Sequence, residues 1–186
     1  MINPGEVKAN AQSLEDQNYK FRTFLKNRAD DDELDAQFLA LHKELFTGYD
    51  CCKCANCCKA YRIFLGNDEV KRIAEFLSMS ENDFAALYLI DAEEGDDKPY
   101  KFKAKPYKFK AKPCAFLRDD GRCRIQDCKP DECTGFPYTD RPNRLSCMHS
   151  VIEHAEVCPI IFEILERLKA IYNFRNKRHG HTRRNG

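Results

Sequence analysis

The chain has 186 residues, of which 42 % are hydrophobic and 33 % charged, and it contains no tryptophan. Its 31 basic and 30 acidic residues leave a net charge of +1, which argues against nucleic-acid binding by the surface as a whole. No stretch approaches the roughly 18 apolar residues of a membrane span, and the first residues, Met1 to Lys8, lack an apolar signal core. The expectation is a soluble, cytoplasmic protein of one domain with appendages.

In chain order, residues 1–47 read as an N-terminal helical hairpin. Ser13 is placed to cap a segment in which Leu14, Phe21, Phe24 and Leu25 fall near one face. After Asp30-Asp31-Asp32, a second helix carries Leu34, Phe38, Leu41 and Leu45 at helical spacing, with its acidic end where the helix dipole favours negative charge. Gly48 ends it. Residues 61–65 then read as a short strand. Asn67 or Asp68 opens a helix bearing Val70, Ile73, Phe76 and Leu77, and Ser80 with Asp83 opens another with Phe84, Leu87 and Tyr88 inward.

The acidic stretch Asp91 to Asp97 reads as a solvated loop, and a direct repeat follows it. Residues 98–104, Lys-Pro-Tyr-Lys-Phe-Lys-Ala, recur as 105–111, and Lys112-Pro113 begins a third copy. Alternation of Lys with Tyr, Phe and Ala suits a half-exposed edge hairpin around Pro106 with its lysines outward. Asp120-Gly121 predicts a tight turn that sets Cys114 and Cys123 on the arms of a small hairpin. Pro159 occupies a favourable first helical position, and Ile160, Ile161, Ile164, Leu165, Leu168, Ile171 and Tyr172 predict a C-terminal helix. The Arg-, Lys- and His-rich segment 175–186 reads as a disordered basic tail.

Cysteine carries the strongest signal. Residues 51–58 read Cys-Cys-Lys-Cys-Ala-Asn-Cys-Cys, five thiols in eight positions, in company too polar to bury them all. Such a density of soft donors points to zinc or an iron–sulfur cluster rather than magnesium or calcium. The total of 11 cysteines is odd, which disfavours a disulfide scaffold and favours metal in a reducing compartment.

The C-x-x-C-x-x-C-C core, the Cys-x-Phe-Leu…Gly-x-Cys-x-Ile stretch from Cys114, the Pro-x-x-Cys…Phe-Pro element at Cys133 and the final Cys158-Pro159 together resemble a known family. It is the zinc- or iron-chelating cysteine-cluster family sometimes called YkgJ-like. The resemblance covers roughly residues 48–160 and implies a metal-binding domain whose ligands are Cys51, Cys54, Cys57, Cys58, Cys114, Cys123, Cys133 and Cys158. Lys129 and Thr134 stand where it leads one to expect arginines. Eight thiolates exceed the four of a tetrahedral zinc site, so two centres or one polynuclear site are expected. One division assigns Cys51, Cys54, Cys57 and Cys158 to one centre, and Cys58, Cys114, Cys123 and Cys133 to the other. Cys52, Cys128 and Cys147 fall outside the pattern and read as packing or spare thiols. His149 and His154 can each replace a thiolate in a Cys₃His site, the plainer reading being surface histidines.

The expected fold is α+β and mainly helical, with an irregular metal-stapled region, short strands and a C-terminal helix. The expected domains are a helical extension at 1–47, a cysteine-cluster domain at 48–174 and a tail at 175–186. The expected function is chelation of zinc or iron, with an iron–sulfur cluster as one form of the latter. The alternative is a redox or metallo-enzyme using an open cluster or the vicinal Cys57/Cys58 pair. An RNA-associated module using the lysine-aromatic repeat and the basic tail is the third reading. No phosphate loop, dinucleotide fingerprint or metal-hydrolase helix supports a named enzyme class. The expected partner is a metal ion, not a membrane, and the sequence points to no protein partner.

Overall fold

A computed structural model describes residues 1–91 and 107–174. The acidic loop beyond Asp91, the first copy of the repeat and the basic tail lie outside the described residues. The order of elements is α1 (Val7–Ser13), α2 (Glu15–Arg28), α3 (Asp31–Phe46), α4 (Cys51–Cys54), α5 (Asn56–Ala60), β1 (Phe64–Leu65), α6 (Asn67–Phe76) and α7 (Glu81–Tyr88). It continues with β2 (Leu89–Asp91), β3 (Tyr107–Phe109), a single 3₁₀ turn at Gln126–Cys128, α8 (Asp131–Gly135), α9 (Met148–Ala155) and α10 (Pro159–Ile171). The fold is therefore α+β and mainly helical, with one small antiparallel sheet. None of the described helices is long and apolar enough to cross a membrane. The chain divides into two compact units, Met1–Thr47 with Thr139–Gly186, and Gly48–Tyr138.

In the first unit, α10 packs on α9 and α3, and α2 packs on α9. The reason is the apolar stripe that each helix carries. Leu34, Phe38, Leu41 and Leu45 of α3 are buried, as are Ile160, Ile161, Ile164, Leu165 and Leu168 of α10. Asp30 caps α3 by accepting from the Glu33 amide at 3.0 Å, and Pro159 takes the first position of α10. One local expectation is corrected. Ser13 does not open a helix but closes α1, its hydroxyl donating to the Asn10 carbonyl at 2.7 Å. The short α1 forms because Val7 and Ala11, one turn apart, pack against Phe162, a long-range contact with no periodic signature in so brief a segment.

The second unit has its own apolar centre, formed by Leu65, Val70, Ile73, Ala74, Phe84, Leu89, Phe109, Phe116, Ile125 and Cys128. Phe116 is its hub, with ring centroids 4.8 Å from Tyr88, 5.3 Å from Phe109 and 6.4 Å from Phe84. Ser80 caps α7 as its sequence indicates, accepting from the Asp83 amide at 3.1 Å. Leu87, expected inward, is 61 % exposed, because α7 turns Phe84 to the core and Leu87 away from it.

The strand order is β1-β3-β2, so Tyr107–Phe109 from the second copy of the repeat is the central strand rather than part of an edge. Its register pairs Phe64 with Lys108 on one side, and Leu89 with Phe109 and Ile90 with Lys108 on the other. Lys108 is not outward: it is buried, with its ammonium 5.9 Å from the centroid of the Phe64 ring. The cation–aromatic contact and the aliphatic stem make that burial tolerable where simple alternation would put a lysine in solvent.

Phe116→Ala is expected to destabilise the Gly48–Tyr138 unit by about 3–5 kcal/mol, the usual range for removing a fully buried ring. Amide exchange in α6 would report it, and an unchanged exchange rate would show that Phe116 does not organise this core.

Candidate metal centre

The C-x-x-C-x-x-C-C run is not an open loop but two single helical turns. Asp50 starts the first, accepting from the Cys52 amide at 2.9 Å, which places Cys51 and Cys54, three residues apart, on neighbouring positions of α4. Ala55 then adopts a left-handed conformation, φ 51°, and breaks the helix so that α5 can start in a new direction with Cys57 and Cys58. A residue with a Cβ in that region costs on the order of 1–2 kcal/mol. The burial of Ala55 shows the surroundings holding it there.

The second thiol-bearing segment is attached by backbone. The Cys114 amide donates to the Cys58 carbonyl at 2.9 Å. From there the predicted hairpin forms, with Leu117 bridged to Cys123 and the Arg118 amide donating to the Arg122 carbonyl at 2.9 Å. Gly121 at its tip has φ +80°, and a Cβ on it would lie 1.9 Å from the Cys52 carbonyl oxygen. The turn is therefore seated directly on the backbone of α4, an approach that only glycine permits.

The third segment carries Cys133 on α8 and is positioned by α6. The buried Glu69 carboxylate accepts from the Gly66 amide at 2.7 Å and from the Asp131 amide at 2.9 Å, joining the start of α6 to the start of α8. Arg72, one turn on, donates to the Lys129 carbonyl at 3.0 Å and to Asp131 at 3.3 Å. Neither Glu69 nor Arg72 stood out in the sequence as part of the site. Glu69 was legible as an acid in the first turn of a helix, but its second partner lies 62 residues away.

Electrostatics shows which thiols are gathered. Cys133 is pushed up to about 12, first by burial and then by the nearby Cys58, Cys114 and Cys123. Burial also raises Cys114, which feels Cys58 and Cys123, and Cys123, which feels Cys58 and Cys52. Cys58 goes the other way, down to about 6. The Cys57 thiol donates a hydrogen bond to it, burial opposes, and the ammonium groups of Lys129 and Lys59 assist. Partial desolvation raises Cys51 on α4, as do its neighbours Cys54 and Cys52. Lys129 counteracts the rise at Cys51, Cys123 and Cys133, so one ammonium group serves thiols from three segments.

Cys58, Cys114, Cys123 and Cys133 thus share one field, with Cys51 and Cys52 adjoining it. Cys54 is buried on α4. Cys128 is buried in the apolar centre of the same unit, as a packing thiol would be. Cys147 and Cys158 belong to the other unit, at the starts of α9 and α10. In that unit His149 is exposed, hydrogen bonded to the Tyr19 hydroxyl at 3.2 Å and 3.5 Å from Glu153. None of the 11 cysteines, all of them among the described residues, is in a disulfide.

The donors suit zinc or iron in kind, being soft sulfurs with a cation to offset their charge. Among the described residues, no three thiols, imidazoles or carboxylates stand close enough to hold one ion as the side chains lie.

A family model described as "Putative zinc- or iron-chelating domain" matches residues 50–159, which span α4 to the first residue of α10. The chain belongs to the CxxCxxCC family. The matched region contains every thiol of the shared field, together with Glu69, Arg72, Gly121 and Lys129. No curated protein and no solved structure matches the chain.

Two outcomes are expected. Gly121→Ala should lose ~1–3 kcal/mol to backbone strain alone, and its contact with Cys52 should lower metal content in parallel; a variant with wild-type stability and metal content would show that the turn does not sit on α4. In the metal-free chain near neutral pH, Cys58 is mainly thiolate while Cys114, Cys123 and Cys133 are protonated. Iodoacetamide followed by peptide mass spectrometry should label Cys58 first, with the rate falling as pH drops below about 6. Faster labelling of Cys133 would contradict the assignment.

Proposed function

We propose that this CxxCxxCC protein binds zinc or iron through thiolates, and that Cys58, Cys114, Cys123 and Cys133 form one ligand group. Cys51, Cys54 and Cys57 are further donors, to a second ion or to another edge of a polynuclear site. The observation that carries the reading is that four thiols from separate stretches share one partly buried field around Cys58. Backbone contacts tie their segments to α4, α5 and α6. Bound zinc would supply structural crosslinks, and an iron–sulfur cluster would add one-electron chemistry.

The chain's own residues perform the rest. Burial keeps Cys114, Cys123 and Cys133 protonated in the metal-free state, so these positions do not carry uncompensated charge. Lys129 offsets the negative charge that accumulates when Cys123 and Cys133 ionise. An odd total of 11 cysteines in a metal-binding pattern favours a reducing, cytoplasmic setting.

A second reading, thiol–disulfide chemistry at Cys57 and Cys58, is favoured by the single observation that Cys58 is the thiol held low. Metal protection separates the two. A coordinated Cys58 resists alkylation in the loaded protein, whereas a redox-active Cys58 stays reactive.

Each raised thiol must release its proton to become a ligand, so metal uptake should release protons and apparent affinity should rise with pH through the neutral range. Zinc or cobalt titration in weak buffer with a pH indicator measures both. Anaerobic purification with metal and sulfide analysis separates colourless zinc protein from brown iron protein. Cys58→Ser and Cys133→Ser should lose bound metal while Cys147→Ser retains it. Full metal content in the first two would refute the ligand group.

A further inference from the structure

Three partly buried rings beside the ligand group, those of Tyr61, Phe136 and Tyr138, stand outside the apolar centre around Phe116 as the described residues form it. Tyr61 is the first residue beyond α5 and follows Cys58 by three positions, and Phe136 is the first beyond α8 and follows Cys133 by three. The two helices end alike. The Tyr61 amide donates to the Cys57 carbonyl at 2.9 Å and the Phe136 amide to the Glu132 carbonyl at 3.2 Å, so each closing bond falls on the residue just before Cys58 or Cys133. The rings that leave these two ends then meet edge to face, with centroids 5.7 Å apart at 63°.

A helix of five residues does not persist by its own hydrogen bonds, and α5 and α8 are both that short. Their placement therefore depends on what their ends touch. Glu69 holds the start of α8 through the Asp131 amide, and Phe136 meets Tyr61 at its finish. Tyr138 braces Phe136: its ring stands edge-on to it at 5.9 Å, and its hydroxyl donates to the Glu132 carbonyl at 2.8 Å. It does so at φ 61°, a left-handed conformation that costs a residue with a Cβ and persists where the surroundings hold it. The Glu132 carboxylate accepts from the Phe64 amide at 3.3 Å, so the chain running from Cys58 into β1 touches α8 at a second point. After burial, the neighbour that Cys133 feels most is Cys58.

We propose that Tyr61 and Phe136 are positioning residues for metal binding, their ring contact fixing the end of α8 against the end of α5 and so setting where the Cys133 sulfur stands relative to Cys58. This role deepens the ligand group proposed above and rests on it. The apolar centre around Phe116 supports the unit as a whole, so loss of the ring pair is read in how the metal is held.

Cobalt(II) is the probe, because its visible bands and its thiolate charge-transfer absorption report the number and arrangement of bound sulfurs. Amide exchange in α6 shows that each variant is folded. Tyr61→Ala and Phe136→Ala should each weaken cobalt binding by about three- to tenfold, and the double variant by little more than either alone, since both remove the same contact. Their spectra should move toward that of Cys133→Ser. Tyr61→Phe keeps the ring and should bind cobalt as the unaltered chain does. In a Cys133→Ser background, Tyr61→Ala should cause no further loss.

The proposal is overturned by a folded Tyr61→Ala chain with unaltered cobalt affinity and spectrum, by a Tyr61→Phe loss as large as that of Tyr61→Ala, or by a Tyr61→Ala loss that persists undiminished without Cys133. Failure of the ligand group reads differently: there Cys133→Ser itself leaves the cobalt spectrum unchanged, and the positioning role falls with it. Where an alanine variant does not fold, Tyr61→Leu and Phe136→Leu keep the apolar bulk, remove the ring contact and carry the same comparison.

Discussion

One backbone hydrogen bond, from the Cys114 amide to the Cys58 carbonyl, joins the two halves of the thiol set. The hairpin that follows Cys114 starts from that bond. The hairpin turns back at Gly121, and the absence of a side chain there lets the turn rest on the Cys52 carbonyl. Cys123 is thereby returned to the neighbourhood of Cys58 and Cys52. On the far side, Glu69 and Arg72 hold the start of α8, and with it Cys133. The frame consists of peptide groups, one buried carboxylate and the Arg72 guanidinium.

Gathering thiols in a partly buried place sets up a conflict. Each ionised sulfur raises the cost of ionising the next, and withdrawal from water penalises all of them. The chain resolves it in two ways. Most of the gathered thiols hold their protons, while Cys58 alone is eased into the thiolate by the Cys57 hydrogen bond and by Lys129 and Lys59. Lys129 stands where the family resemblance leads one to expect arginine. A point-like ammonium on a flexible stem suits a position that answers to Cys51, Cys123 and Cys133 as well as Cys58, where no planar fork is required.

The apolar centre of the Gly48–Tyr138 unit is small, and part of it doubles as the support of the site. Phe116 and Ile125 flank the two arms of the hairpin, and Cys114 and Cys123 pack partly against the same cluster. The sheet contributes its central strand to that centre through Phe109, and residues 110–113 lead from it to Cys114. The other unit is a conventional amphipathic helix assembly in which α9 and α10 pack with α2 and α3.

Features with local causes were legible in the sequence. The soft donors, the Asp120-Gly121 turn, the Ser80 cap and Pro159 at a helix start each depend on residues only a few positions apart, and the structure contains all four. The inward Lys108, the short α1 and the roles of Glu69 and Arg72 were not legible. Each depends on a partner far along the chain: Phe64, Phe162, Asp131 and Lys129 in turn. By itself the sequence determined what the donors are and where the hairpin between Cys114 and Cys123 turns. Only the tertiary structure decided which thiols share one field, because that is settled by long-range peptide contacts between segments, and such contacts leave no periodic pattern in the order of residues.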